Sequence, residues 1–568
     1  MVKFTLLFLV VIFFACSQSY EKSYTDLESA FTDWYFKFHP IESTFFGGAT
    51  QYDSTFPRLD VDAREEYLAD VQRFHIELSQ IDETKLPETE YVNYMILTEF
   101  LSDEVFSLQK SKRYQWDASL YPEIMYNGFV ALVDLDYLQM SSRTKAIAFR
   151  LEASGTVLDY ARENLKFYDK STVKYADRII ESITLLLDEL PMKIMSDNNT
   201  MDKIDNHIKI LRHNLKYYGQ WMRDDYSELE KYNIEKKPSE ISELFSHIVG
   251  KDYAIGKVSL LAEKRMHKIQ DQLFNLSLPI YLRENDEPVW VDRDDSLSVI
   301  YWVKDELDNH SINPQEYISS IYAASKKVHD ELNGNRELYI NSIPNIQIRF
   351  DNEYSISPSI ARVGRFQLNG KNKEVEYLVK PLETLQLLKI NMNRYELDIL
   401  IMKDLSPGNL QFQQSLSKNS QLLRQIIQND VTKFGWQYYA SSYLINSGFG
   451  GSENYAYKLT SLYNALKIAG LSWMEIQLGY HEADENDIII DLAIKINISE
   501  SEANQYVTNG SQSPFHYTQQ FIGSVEMDRL QTDYKRKNKN IMNLREFHSR
   551  ILMEGCIPIS QLRKMILN

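Results

Sequence analysis

The stretch LDILIMKDLSPGNLQFQQSLSKNSQLLRQ, residues 397–425, has the frame of a metal-site helix: an apolar run, a Pro-Gly break and an amphipathic continuation. Its chemistry-bearing side chains are Lys403, Asp404 and Asn409. Lysine's ammonium has no lone pair and repels a dication. Asp404 offers a carboxylate, and Asn409 a carbonyl oxygen of the kind that suits hard cations rather than zinc. The chain's eleven histidines build no H-E-x-x-H. HEADE (481–485) has its first two letters only and reads as a helix end running into an acidic loop. His207 and His213 stand six apart and point to different faces of a helix. No G-x-S-x-G occurs, and GFGGSEN (448–454) reads as a turn, because it lacks the Lys and the strand–helix setting of a phosphate cradle. Cys556, beside Ile557 in an apolar tail, reads as a packed thiol.

The elements that must position these groups are helical by periodicity. Leu27, Phe31, Trp34 and Phe38 recur at 3- and 4-residue steps, opened by a Thr25-x-x-Glu28 capping box and ended by Pro40. Further helices are predicted around 144–167, 172–190, 203–222 and 254–275. Asn313-Pro314 starts another, with Ile318, Ile321, Ala324 and Val328 as its buried stripe. Ser472-x-x-Glu475, Ser499-x-x-Glu502 and Asn543 with Glu546 read as helix caps. One region reads as β. IQIRF (346–350) alternates, and 365–379 places Asn369-Gly370 between two alternating runs, a hairpin signal just before the opening stretch. The fold class is therefore mainly α with a small β-hairpin or sheet insert. No repeat, low-complexity segment or inter-domain linker stands out.

The 568 residues can bury a large core, and a net charge of −18 with no basic block excludes nucleic acid as a partner. Residues 1–15, MVKFTLLFLVVIFFA, read as a signal segment: Lys3 supplies the positive start, and the apolar run is too short to span a bilayer. Ala15-Cys16 followed by polar residues resembles a bacterial lipobox, with Phe13 where Leu is usual. Cys16 is then the lipidated residue, 16–30 an anchor or linker, and 31–568 a single large helical domain. The expected location is the bacterial cell envelope, exported and lipid-anchored. With Cys16 lipidated, Cys556 has no disulfide partner.

Across nearly the whole mature chain the sequence resembles the bacterial domain-of-unknown-function 885 family. The segments that carry this are HPIESTFFGGATQYDSTFPRLD (39–60), FRLEASGTVLDYARENL (149–165) and LREFHSRILMEGCIPISQL (544–562), the last with Phe547, His548, Gly555, Pro558 and Leu562 in place. The resemblance implies a large helical, zinc metallopeptidase-like fold whose motif is H-E-x-x-P-G-H with a later E-G-W. Such a site holds zinc through three ligands and lets a Glu take a proton from the bound water. With Pro407-Gly408 as anchor, Lys403 stands at the first His, Asp404 at the Glu and Asn409 at the second His. FGWQYYA keeps Gly435, Trp436, Tyr439 and Ala440, but puts Phe434 at the later Glu. Gln477-Leu478-Gly479-Tyr480-His481 stands where the family has D-T-G-x-H. Asn509-Gly510 replaces an Arg-Tyr pair, while Pro514 and Gly523 remain.

An ammonium, an amide and a phenyl ring in the ligand positions imply a pseudoenzyme with no metal and no cofactor. Its old cleft, drawn from Lys403, Asp404, Trp436, Tyr439 and His481, would bind a peptide-like ligand or a protein partner. Lys403 would supply the positive charge that the metal once did, paired with an acid of the cleft. Two alternatives stand beside this: an active hydrolase with a non-standard site, and a structural subunit of an envelope complex.

Overall fold

The computed structural model describes residues 24–47, 49–134, 138–195, 197–231, 238–285, 296–335, 337–338, 345–357, 359–364, 374–381, 392–419, 421–538 and 543–567. The signal segment, Cys16 and the Asn369-Gly370 turn lie outside them. The chain is mainly α-helical with one small three-stranded sheet. Its contacts gather into two compact units: Met1–Tyr232 with Phe366–Asn369 and Ser420–Ile427, and Asn233–Arg365 with Gly370–Asn419 and Gln428–Asn568.

In the first unit, α1 covers residues 24–38. Its described part therefore extends into the stretch read as linker, and it buries Phe31 and Trp34 against Phe74. Pro40 ends α1 and sits in the first turn of α2 (Pro40–Phe46), where a missing N–H costs nothing. Then follow α3 (Val61–Ser79), α4 (Glu88–Phe106), α5 (Leu120–Val133), α6 (Met140–Asn164), α7 (Lys170–Lys193) and α8 (Asn198–Asp224). The guanidinium of Arg150 on α6 is wholly buried. It donates to Thr44 Oγ1 (2.8 Å), to the Thr55 carbonyl (3.2 Å) and to the Gly128 carbonyl, tying α6 to α2 and α5. Residues 421–427 also belong to this unit. Arg424, 2 % exposed, donates to Asn93 Oδ1 of α4 at 2.8 Å.

The second unit contains α9 (Pro238–Ile248), α10 (Ile255–Glu284), α11 (Ser296–Asp308) and α12 (Tyr317–Gly334). A 3-10 turn, Pro314–Glu316, leads into α12 at the predicted start. After the sheet come α13 (Arg394–Asp404), α14 (Asn409–Leu416), α15 (Asp430–Asn446), α16 (Asn454–Gly479), α17 (Glu485–Ile496), α18 (Glu500–Gln512), α19 (His516–Lys537), α20 (Leu544–Glu554) and α21 (Ile559–Leu567). Ser499 and Asn543 cap α18 and α20 as the sequence predicts. Ser472-x-x-Glu475 does not start a helix of its own: both residues lie inside α16 and are buried.

The sheet order is β1-β3-β2. β1 (Asn345–Phe350) runs parallel to β3 (Glu374–Val379), and β2 (Ala361–Val363) runs antiparallel to it. The hairpin expectation is thus met on one arm, and the strand paired antiparallel to β3 is 361–363. Tyr377, on the central strand, is completely buried between Ile348 and Val363 in register. Among the described helices none is long and apolar enough to cross a membrane.

Candidate functional site

α13 starts from a capping box, Asn393 with Glu396, and ends at Leu405. Its last turn carries Lys403 and Asp404. The Ser406-Pro407 peptide is cis, and Gly408 follows. A Cβ on Gly408 would lie 2.0 Å from the Lys403 carbonyl oxygen, so only glycine lets α14 start against the end of α13. Trp436 of α15 locks this corner by donating from Nε1 to the Pro407 carbonyl at 2.8 Å.

The Lys403 ammonium lies 3.9 Å from the centre of the Tyr438 ring, a cation–π contact. It has no carboxylate within ion-pair distance among the described residues. Asp404 turns the other way: its Oδ2 accepts the Tyr377 hydroxyl proton at 2.8 Å. Burial raises the Asp404 carboxyl to about 6, against the opposing effects of the Tyr377 hydrogen bond and the Lys403 charge. Tyr377 and Tyr317, both held above the usual phenol range by burial, stay neutral beside it.

Phe434, one helical turn before Tyr438 on α15, meets the His516 ring edge-on at 5.2 Å. The Tyr438 hydroxyl donates to Gln520 Oε1 (3.1 Å), so the Gln520 amide nitrogen is left to donate to His516 Nε2 (2.8 Å). His516 is therefore a neutral imidazole, and burial lowers its pKa. The start of α19, which presents His516, is clamped by Glu475. That carboxylate accepts the Tyr517 N–H (3.1 Å), the Thr518 N–H (2.8 Å) and the Thr518 hydroxyl (2.8 Å). Burial still raises it to about 8.

The predicted cleft residues separate. Trp436 is wholly buried and Tyr439 is 4 % exposed, so both are interior side chains and not walls of an open cleft. Tyr439 and His548 pair at 2.8 Å, with His548 Nδ1 donating to the Glu337 carbonyl at 2.9 Å. Burial lowers His548 to about 4. His481 sits exposed just past α16, edge-on to the Tyr480 ring. Asn409 is half-buried, and its Oδ1 has no partner among the described residues. Tyr438, His516, Gln520 and Tyr377 are the neighbours sequence reasoning missed. Tyr438 was within its reach, being four residues after Phe434 on one helix face. Tyr377 was not, because only strand pairing brings it to Asp404.

A zinc ion does not fit this donor set. Lys403 and Phe434 offer no lone pair, Asp404 is engaged by Tyr377, and Asn409 supplies only an amide oxygen. Among the described residues, no three His, Cys, Asp or Glu side chains come together as a metal site. Cys556 is a buried free thiol.

Residues 40–566 match the family described as "Bacterial protein of unknown function (DUF885)". No curated protein matches the chain. Two solved structures share the fold. One is a candidate lipoprotein of unknown function from Shewanella oneidensis, with a TM-score of 0.78 and 17 % identity over 96 % of this chain and 100 % of that one. The other is a candidate lipoprotein from Colwellia psychrerythraea, with a TM-score of 0.71 and 13 % identity over 97 % and 98 %.

Proposed function

The chain belongs to the bacterial DUF885 family, and from that premise we propose that it is an exported, lipid-anchored envelope protein. In this reading Cys16 carries the lipid, and the Lys403 face of the second unit binds a peptide-like ligand without cleaving it. The observation that carries the non-catalytic reading is the Lys403 ammonium resting on the Tyr438 ring, with Phe434 one turn away. A cation and a phenyl ring stand where the resemblance calls for metal ligands. The two structural neighbours, each described as a candidate lipoprotein, agree with the reading of Cys16.

The test is elemental analysis of the purified mature protein, together with a peptide-hydrolysis screen with and without chelator. The expected outcome is metal well below one equivalent and no chelator-sensitive cleavage. Stoichiometric zinc with chelator-sensitive cleavage would establish the active-hydrolase reading instead. Detergent-phase partitioning tests the anchor: the native protein should enter the detergent phase, and Cys16→Ala should abolish this.

A further inference from the structure

We infer that the groove between α10 and α19 is a binding site for a small phosphate monoester, independent of any ligand at Lys403. The two helices belong to the second unit and enclose about 380 Å³ there. One wall carries Lys264, Arg265 and Lys268 of α10, and the other carries Arg529 and Arg536 of α19. Against these cations the lining sets two carboxylates, Asp528 and Asp533. Such an excess runs against a chain whose net charge is −18. Pairing within the groove does not cancel it. Asp528 takes Arg265 at 3.2 Å. Burial raises the Asp528 carboxyl, and Arg265 and Lys268 pull it back down. Asp533 takes Arg536 at 3.4 Å and also Arg563 of α21. Beside the lining, Glu526 takes Arg529 at 2.5 Å and the same Arg563 at 3.9 Å. With Glu526 and Arg563 included, six cations still face three acids. The neighbouring acids of α10, Glu263 and Asp271, do not line the groove, and Glu263 accepts the Trp473 Nε1–H at 3.1 Å. Lys264 and Lys268 have no carboxylate within ion-pair distance among the described residues.

The chemistry of the lining narrows the ligand. A carboxylate brings one negative charge, whereas a phosphate monoester brings nearly two and three acceptor oxygens. Those oxygens can take donors from both walls at once. Guanidinium forks, here from Arg265, Arg529 and Arg536, match phosphate oxygens in pairs. The charge is set in a concave groove, which suits a small ligand better than a bilayer surface. A volume of about 380 Å³ holds a phosphate with a small organic group. Leu261 and the buried Val525 supply the apolar part of the lining for its carbon atoms.

The test is titration calorimetry of the purified mature protein with glycerol 3-phosphate, glycerate and glycerol at low ionic strength. Glycerol 3-phosphate should bind saturably, at least tenfold more tightly than glycerate, and glycerol should not bind. The phosphate affinity should fall as salt rises. Lys264→Glu combined with Lys268→Glu reverses two exposed charges, and should weaken glycerol 3-phosphate at least tenfold with the helical circular dichroism unchanged. Absence of saturable phosphate binding by the native protein overturns the inference, and so does equal binding of glycerate. Unchanged affinity in the double variant places the phosphate elsewhere and overturns it too. Sedimentation with phosphatidic acid vesicles, without binding of glycerol 3-phosphate, would make this face a membrane contact instead. The decisive comparison uses the unaltered protein, so it does not depend on a variant folding.

Discussion

At Asp404, burial and hydrogen bonding pull in opposite directions. Burial raises the carboxyl from 3.8 to about 6, and the Tyr377 hydroxyl with the Lys403 charge only partly offsets this. Between those two values the folded protein holds a proton that the unfolded chain has released. Stability from this group is therefore full below pH 3.8, falls as pH rises towards 6, and is level above. Allowing for the partial exposure of Asp404, the loss is about 1–2 kcal/mol. Asp404→Asn keeps an acceptor for Tyr377 but cannot ionise. Urea unfolding should show the variant gaining that amount over the native protein between pH 4 and pH 7.5, and a gap independent of pH would contradict the assignment. Residue types alone told that Lys403 and Phe434 offer no lone pair to a metal, since lone pairs are a property of the side chain. They could not tell that Lys403 and Asp404, adjacent in sequence, would face different partners.

Helix α15 owes its place to two glycines. A Cβ on Gly523 of α19 would lie 2.2 Å from the Val431 carbonyl oxygen, and one on Gly435 would lie 2.6 Å from the Gly523 carbonyl oxygen. The two backbones touch, and this close crossing lets Phe434 and Tyr438 reach His516 and Gln520. Gly523→Ala must push the helices apart and should cost about 3 kcal/mol or more, seen as a lower urea midpoint. Gly256→Ala on α10 meets nothing within 4 Å. It should be neutral or stabilising by under about 1 kcal/mol, because alanine is the better helix former. Helix existence was legible here, and so were the caps at Ser499 and Asn543, since capping needs only a few consecutive residues. Ser472-x-x-Glu475 carries the same local pattern and is a buried mid-helix pair. What separates the cases is the Thr518 N–H that Glu475 receives from α19, a contact 43 residues away.

Over the whole molecule, chain order and compact units do not coincide. Residues 421–427 lie far along the chain yet belong to the first unit, where Arg424 satisfies Asn93 and reaches the Thr89 carbonyl at 3.3 Å. A fragment ending at residue 232 loses that arginine and leaves Asn93 short of a buried partner. Arg424→Met in the full chain should destabilise by about 3 kcal/mol. The fragment should unfold at a lower temperature than the first unit does in the full chain, read by circular dichroism. A cooperative transition at the same temperature would show the segment to be dispensable. No linker signal marked the division, because both units are built from the same amphipathic helices. The sequence by itself determined the helical class, the small sheet before α13 and the net negative charge, all of which follow from local periodicity and side-chain type. Only the tertiary structure decided that Trp436 and Tyr439 are interior, that His481 is at the surface, and that Lys403 stands over Tyr438. Burial and partnership are set by which distant segments meet, and no local pattern encodes that.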